Sequence, residues 1–310
     1  MKTLLAGIAA ATLLLGAPAA RAGDEITLSC TATTDCASAF AAATHGFFAK
    51  HNLAVKITPI ALNSNIPAAL MSDSIQIGGP TPSVFLQAVD GGLDLVVLAT
   101  ASVTNKATVD GAASVAREGS GIDSPEKFVG HRIGVPGIGA FLDVLFRQSL
   151  IVHGIDPNKI SFVEVTFPTM SDALKGGAVD GVVSADPFLS RIVAAGTGHV
   201  VSHFLADLPE GEPQILYATT RSWAAAHTAQ VADFRAAIAE GAAFVQANPD
   251  AAREDVAAFT KLPIAVLKTV KLSWSEPAIS PAQLDWWVGV MRGQHMLQAD
   301  PDTAKLIAPQ

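Results

Sequence analysis

Ala69-Leu70-Met71-Ser72-Asp73-Ser74-Ile75-Gln76-Ile77 and Ala173-Leu174-Lys175-Gly176-Gly177-Ala178-Val179-Asp180-Gly181 are two versions of one segment, set 104 residues apart. Each reads as the end of a helix, a tight turn and a short apolar strand. Upstream, Lys50-His51-Asn52-Leu53-Ala54-Val55 is echoed by Val152-His153-Gly154-Ile155-Asp156. A unit that recurs once at such a distance describes a chain of two similar α/β halves. Two halves leave one natural place for a small ligand, the crevice between them.

The chain has 310 residues, enough for two domains of ordinary size. Hydrophobic residues make up 50% and charged residues 15%, a balance that builds a large core rather than a disordered chain. Part of that apolarity belongs to the start. Lys2 supplies a basic end, Leu4 to Leu15 an apolar run too short to span a bilayer, and Ala20-Arg21-Ala22 an A-x-A cleavage site. Residues 1–22 are therefore expected to be a cleaved secretory signal, leaving Gly23 first. No cysteine follows the apolar run directly, so no lipid anchor is expected, and the periplasm is the expected compartment. Net charge is −8, and without Lys2 and Arg21 the chain keeps 18 basic against 28 acidic residues, with no basic run. That composition argues against nucleic acid and against an anionic membrane surface as partners. Cys30 and Cys36 are the only cysteines. In an oxidising compartment such a pair invites a disulfide, worth about 2 kcal/mol for so short a loop. Two buried thiols, or a metal site completed by residues such as His45, remain the alternatives.

Along the chain, strands are expected at Ile26–Ser29, Ala54–Ile60, Ile75–Gly78 and Leu93–Ala99, with helices at Ala39–Lys50, Ile66–Met71 and from Gly79-Pro80-Thr81-Pro82-Ser83 to Asp90. Asn52 falls where a left-handed helix end is expected. Beyond about residue 113 the rhythm restarts. A helix opens at Ser124-Pro125, with Ser124 as its cap. Strands follow at Arg132–Val135, Ser161–Val165, Gly181–Ser184 and His199–His203, with helices at Ala140–Val152, Thr169–Lys175 and from Pro187. Leu142, Leu145, Phe146 and Leu150 form one helical stripe. After a strand at Ile215–Thr219 the chain reads as helices at Val231–Ala247, Pro249–Phe259, Ile264–Val270 and Pro281–Met296. A helical tail cannot bury its apolar face alone, and packing it on the first half is the economical arrangement. Lobe one is then residues 24–113 plus 214–310, lobe two is residues 114–213, and two crossing segments form a hinge.

Several of these segments resemble one known family. Gly46-Phe47-Phe48-Ala49-Lys50-His51-Asn52-Leu53 is similar to its G-l-F-x-k-x-G-L segment. Gly119-Ser120-Gly121-Ile122 through Phe128-Val129-Gly130-His131-Arg132-Ile133-Gly134-Val135 is similar to its S-g-I…G-k-x-v-a-v run. Ala173-Leu174 to Asp180 and then Asp186-Pro187-Phe188 complete the order. Together they resemble the nitrate–sulfonate–taurine group of ABC-transporter substrate-binding proteins, over about residues 25–200. The resemblance implies a two-lobed type II periplasmic-binding-protein fold with a hinge, each lobe a mixed, mostly parallel sheet flanked by helices, and the helical tail on lobe one. It also implies a small-molecule solute, an inner-membrane ABC permease with its ATPase, a monomer and no cofactor. In the first copy the family's Gly is Asp73 and its Asp is Gln76, and Asp tolerates the left-handed turn. The cysteine-rich motif of the pyrimidine-precursor members is missing.

In an open α/β lobe, ligands bind beyond the carboxyl ends of strands, at helix N-termini whose N–H groups favour anions. Four loops qualify. Thr31 to Ser38 carries hydroxyls, Thr33 among them, and Asp35. Gly79 to Ser83 offers Pro80, Thr81 and Ser83, which equally serve as helix caps. Gly137-Ile138-Gly139 lets a ligand approach the backbone, or simply makes a turn. Asp186 before Pro187 is either a ligand contact or an N-cap. None of these loops holds Arg or Lys, so a bound anion (sulfonate, carboxylate or nitrate-like) would rest on amides and hydroxyls. A neutral or zwitterionic guest paired with Asp35 or Asp186 is equally open. Trp286 and Trp287 are expected on lobe one rather than in the cleft. No H-E-x-x-H, no G-x-S-x-G and no supported Cys–His pair is present. The expected role is solute capture for import, with an enzyme on the same fold or a receptor for a sensor kinase as the alternatives.

Overall fold

The computed structural model describes residues 25–309, so the expected signal segment 1–22 lies outside the described residues. Ten strands form two five-stranded sheets. The first contains β1 (Ile26–Cys30), β2 (Val55–Pro59), β3 (Ile77–Gly78), β4 (Leu95–Val103) and β10 (Pro213–Thr220), in the order β2-β1-β3-β10-β4. The second contains β5 (Ala112–Arg117), β6 (Arg132–Val135), β7 (Ser161–Glu164), β8 (Gly181–Ala185) and β9 (Gly198–Ser202), in the order β7-β6-β8-β5-β9. The orders superimpose, with β3 and β8 in the same central place. These are the strands that the two copies of the repeated segment lead into.

Strand direction follows the same plan. β1 lies parallel to β2 and β3, while β10 is antiparallel to β3 and β4. β6 lies parallel to β7 and β8, while β5 is antiparallel to β8 and β9. Four strands of each sheet therefore point one way. The fifth is the strand that the chain lays down on arriving from the other sheet. The crossings, residues 104–111 and 203–212, are knitted together at Thr104. Its N–H donates to the Glu212 carbonyl at 2.8 Å and its carbonyl accepts from Gly211. Its hydroxyl donates to the Pro209 carbonyl at 2.6 Å and accepts from the Glu212 N–H at 2.9 Å.

Helices α1 (Ala37–Thr44), α2 (Phe47–Lys50), α3 (Ile66–Met71) and α4 (Pro82–Asp90) flank the first sheet, and α5 (Phe141–Val152), α6 (Met170–Lys175) and α7 (Phe188–Ala194) the second. The tail supplies α8 (Arg221–Ala226), α9 (Thr228–Ala247), α10 (Pro249–Thr260), α11 (Ile264–Leu267) and α12 (Pro281–Gly293). The single helix expected over Ala39–Lys50 is broken, because Gly46 takes the left-handed conformation at φ 76°. Ser124 heads only a 3-10 turn, Pro125–Phe128, and makes no capping bond from its side chain. α8 has no counterpart among the expected helices. Thr220 caps it by accepting from the Trp223 N–H. Asn52 and Asp73 are left-handed as expected, both at φ 57°. All four stripe residues of α5, Leu142, Leu145, Phe146 and Leu150, are buried.

The tail packs on lobe one. Phe234 of α9 stacks on Phe48 and meets Tyr217 edge-on, and Phe259 of α10 stacks on Phe40. Trp287 of α12 is fully buried and donates from its indole N–H to the Pro213 carbonyl at 2.9 Å. Its ring also meets Phe141 of α5 at 5.6 Å between centroids. One apolar core thus runs from α4 through α12 into lobe two.

Candidate functional site

Between the sheets lies a cavity of about 70 Å3, several times the ~10–15 Å3 that one water needs. Lobe one faces it with Thr31, Thr33, Thr34, Asp35, Asn63 and Thr81. Lobe two faces it with Pro136, Ala140, Phe141, Leu142, Phe167 and Asp186. Thr108 and Gly111 come from a crossing, and Lys271 and Ser273 from the tail.

The first loop is held at both ends. Cys30, the last residue of β1, is disulfide-bonded to Cys36 at the start of α1, which settles the sequence alternatives for this pair. Gly79 lies against the bridge, and a Cβ there would come within 2.9 Å of Cys30 Sγ, so only glycine fits. Inside the loop, the Thr33 hydroxyl donates to Asp35 Oδ2 at 2.6 Å and the Ser102 hydroxyl to Asp35 Oδ1 at 2.9 Å. The Asp35 carboxylate is thus oriented by two neutral donors.

In the second loop Thr81 lines the cavity and also caps α4, accepting from the Val84 N–H at 3.3 Å. Its own N–H is spent on Asn63 Oδ1 at 2.8 Å, while Asn63 Nδ2 donates to the Gly79 carbonyl. Ser83 is fully buried beside Thr81, at 3.1 Å between hydroxyls. The Pro80 carbonyl accepts from the Leu216 N–H. Neither Pro80 nor Ser83 lines the cavity.

Gly137, Ile138 and Gly139 do not line it either, although Pro136 and Ala140 on either side do. The Ile138 N–H donates to Glu164 Oε1 at 3.0 Å and the Gly139 N–H to Asp143 Oδ2 at 2.8 Å, so both amides are taken by carboxylates. Gly139 is left-handed at φ 75°, and a Cβ there would come within 2.7 Å of the Gln87 side chain of α4. This loop is a contact between the lobes. Asp143 is itself buried, which pushes its carboxyl up, while Arg147, bonded at 2.7 Å, and the Gly139 N–H pull the other way.

Asp186 Oδ1 accepts from the Ser190 N–H at 3.0 Å and the Ser190 hydroxyl at 2.6 Å. Burial pushes this carboxyl above its ordinary value, the Ser190 bonds oppose that, and Asp110 adds to it. Sequence reasoning missed Asn63, Phe141, Phe167 and Lys271. Asn63 follows a strand and opens a polar run, Asn63-Ser64-Asn65, which is a local signal. Lys271 has none. It reaches the cavity from the tail, and its ammonium pairs with Asp110 Oδ2 at 2.8 Å and Oδ1 at 3.0 Å. Among the described residues no group of three or more His, Cys, Asp or Glu side chains gathers to hold a metal ion, and no helix is long and apolar enough to cross a membrane.

Two matched sheets, two crossings and a cavity walled from both sides define the two-lobed fold of periplasmic binding proteins. Residues 33–252, more than half of the chain, match the family described as NMT1/THI5 like, and the chain belongs to that family. Among curated proteins none matches by sequence. Solved structures that share the fold include the alkanesulfonate-binding protein SsuA from Xanthomonas axonopodis pv. citri, bound to MOPS. The likeness is 15% identity over 92% of this chain and 96% of that one, with a TM-score of 0.74. The periplasmic nitrate-binding protein NrtA from Synechocystis is 17% identical over 90% and 83%, also at a TM-score of 0.74. The ligand-binding component of an ABC-type import system from Staphylococcus aureus is 15% identical over 92% and 96%, at 0.78. The family resemblance and fold class read from the motifs are borne out.

Proposed function

We propose that this chain is the periplasmic solute-binding component of an ABC importer, exported by way of residues 1–22. It captures one small organic solute between lobe one, residues 24–113 plus 214–310, and lobe two, residues 114–213, and hands it intact to a permease driven by its ATPase. The observation that carries the reading is the cavity whose walls come from both lobes, which the chain connects covalently through two crossings that Thr104 ties together. Rotation about paired crossings opens and closes such a cleft as a hinge. The neighbours described as sulfonate- and nitrate-binding proteins support the role, and so does the family.

Capture rather than chemistry fits the lining. Hydroxyls, the amides of Asn63 and Gln214 and an apolar wall bind and orient a guest. Among the described residues none of the cavity's hydroxyls is bonded to a histidine that could activate it as a nucleophile. The charge of the guest is separate from its capture. An anion, sulfonate, carboxylate or nitrate-like, is what the loops suggest in isolation, whereas the assembled cavity presents two aspartates and a lysine already paired with Asp110.

Native mass spectrometry of freshly isolated protein tests the reading. The expected result is one small molecule carried per chain and released unchanged on unfolding. A chain that carries nothing, and whose scattering curve is unmoved by broad solute mixtures, would overturn it.

A further inference from the structure

The two walls of the cavity differ in kind. Lobe one contributes hydroxyls and the amides of Asn63 and Gln214 around Asp35. Lobe two contributes Pro136, Ala140, Phe141, Leu142 and Phe167, with Asp186 beside them. Three charged side chains line the space: Asp35, Asp186 and Lys271. Lys271 is committed to Asp110 through both carboxylate oxygens. Asp35 is held only by the hydroxyls of Thr33 and Ser102, and Asp186 only by Ser190. Among the described residues neither aspartate forms an ion pair.

This is a costly arrangement for an empty cleft. Two carboxylates without a cationic partner line one small, half-apolar space from opposite jaws, where an unpaired charge is poorly solvated. A cation placed between them offsets that cost and draws the jaws together. An anion would add a third like charge. The obvious anion site, the first turn of α5 at Ala140–Leu142, is already served by the chain's own carboxylate. Asp143 there is buried, accepts from the Gly139 N–H and is braced by Arg147.

We propose that the guest is a small organic cation: a positively charged nitrogen seated between Asp35 and Asp186, on an apolar body that lies against Phe141, Leu142 and Phe167. The inference rests on the cleft being the solute site.

Three probes with one body and three charges test it on the full mature chain: 2-phenylethylamine, its neutral N-acetyl derivative, and 2-phenylethanesulfonate. Calorimetry and thermal melting read binding. The amine should bind at least about ten-fold more tightly than the neutral probe, as expected when a buried charge pair is lost. The sulfonate should not bind. Asp186→Asn and Asp35→Asn should each weaken the amine about ten-fold or more, and Asp186→Asn should raise the melting temperature of the empty protein. Amine binding no tighter than sulfonate binding overturns the proposal. If the sulfonate binds and closes the lobes, the charge assignment fails while the receptor reading stands. If no probe binds and no co-purified guest is found, both fail.

Discussion

Lobe one builds its face of the cavity from a loop tied by a disulfide, Cys30–Cys36, and filled with hydroxyls. Lobe two builds its face from the first turn of α5 and the ring of Phe167, with no covalent tie. Yet the sheets beneath share one strand order. Even the altered positions of the repeat agree in purpose. Gln76 Oε1 accepts from the Thr27 N–H of β1, and Asp180 Oδ2 accepts from the Arg132 N–H of β6. β1 and β6 hold the same place in their sheets, so the amide and the carboxylate perform one stitch. The framework is duplicated because parallel strands and their turns tolerate few alternatives. The chemistry lies in loops that never had to match.

The largest effect is expected where the lobes meet. Trp287 belongs to the tail of lobe one, but its ring touches Phe141 of lobe two and its N–H holds the Pro213 carbonyl. Trp287→Ala should cost about 3–5 kcal/mol in denaturant unfolding. A loss below about 1 kcal/mol would mean that the tail does not brace both lobes.

Next comes the covalent difference between the jaws. Replacing Cys30 and Cys36 together by Ser should cost about 2 kcal/mol. Hydrogen exchange should quicken in residues 31–36 and stay unchanged in β6 and β8. Equal quickening in both sheets would show that the bridge serves the whole molecule rather than one jaw.

A smaller contrast separates the two copies of the turn. Gly177 is left-handed at φ 70°, and Asp73 in the equivalent turn is left-handed at φ 57°. Gly177→Ala should cost about 1 kcal/mol, because a Cβ is strained there. Asp73→Gly should change stability by less than about half of that, since the turn already tolerates its Asp. Thermal melting of the pair checks the ranking.

The smallest effect sits at the crossings and depends on pH. Burial pushes the Glu212 carboxyl from its ordinary 4.5 to about 7, and its Oε2 has no hydrogen-bond partner among the described residues. Between those values the folded chain holds a proton that the unfolded chain releases. Stability therefore falls as pH rises from 4.5 to about 7 and stays lower above it. Glu212 is part-exposed, so solvent screening reduces the effect to less than about 1 kcal/mol. Glu212→Gln should melt about 2 °C higher than the parent near pH 8 and with it near pH 4. Identical melting curves across that range would remove Glu212 from the account.

Much of this framework was legible in the residues, and the reasons are local. Leu142, Leu145, Phe146 and Leu150 mark a buried helical face by spacing alone, and Asn52 and Asp73 mark left-handed turns by type. Gly46 carried the same kind of signal, yet the apolar run Phe47-Phe48 around it reads as continuous helix. The cavity was less legible. Thr33, Asp35, Thr81 and Asp186 do line it, because strand ends converge there. Gly137, Ile138 and Gly139 read as a loop open to a ligand, but the Ile138 and Gly139 amides are claimed by Glu164 and Asp143. Asp143 stands only four residues from Gly139, so that local competitor was open to view. Phe167 and Lys271 reach the cavity only through tertiary folding, and no window of sequence around them reveals it.

Closure of one lobe on the other is the central claim, and a distance between the lobes tests it most directly. Spin labels at Lys56→Cys, beside β1, and Lys159→Cys, beside β6, report on opposite sheets from exposed sites. Saturating the protein with the solute recovered from its own fresh preparation should replace a broad distance distribution by a single shorter one. An unchanged distribution with the solute demonstrably bound would contradict the account.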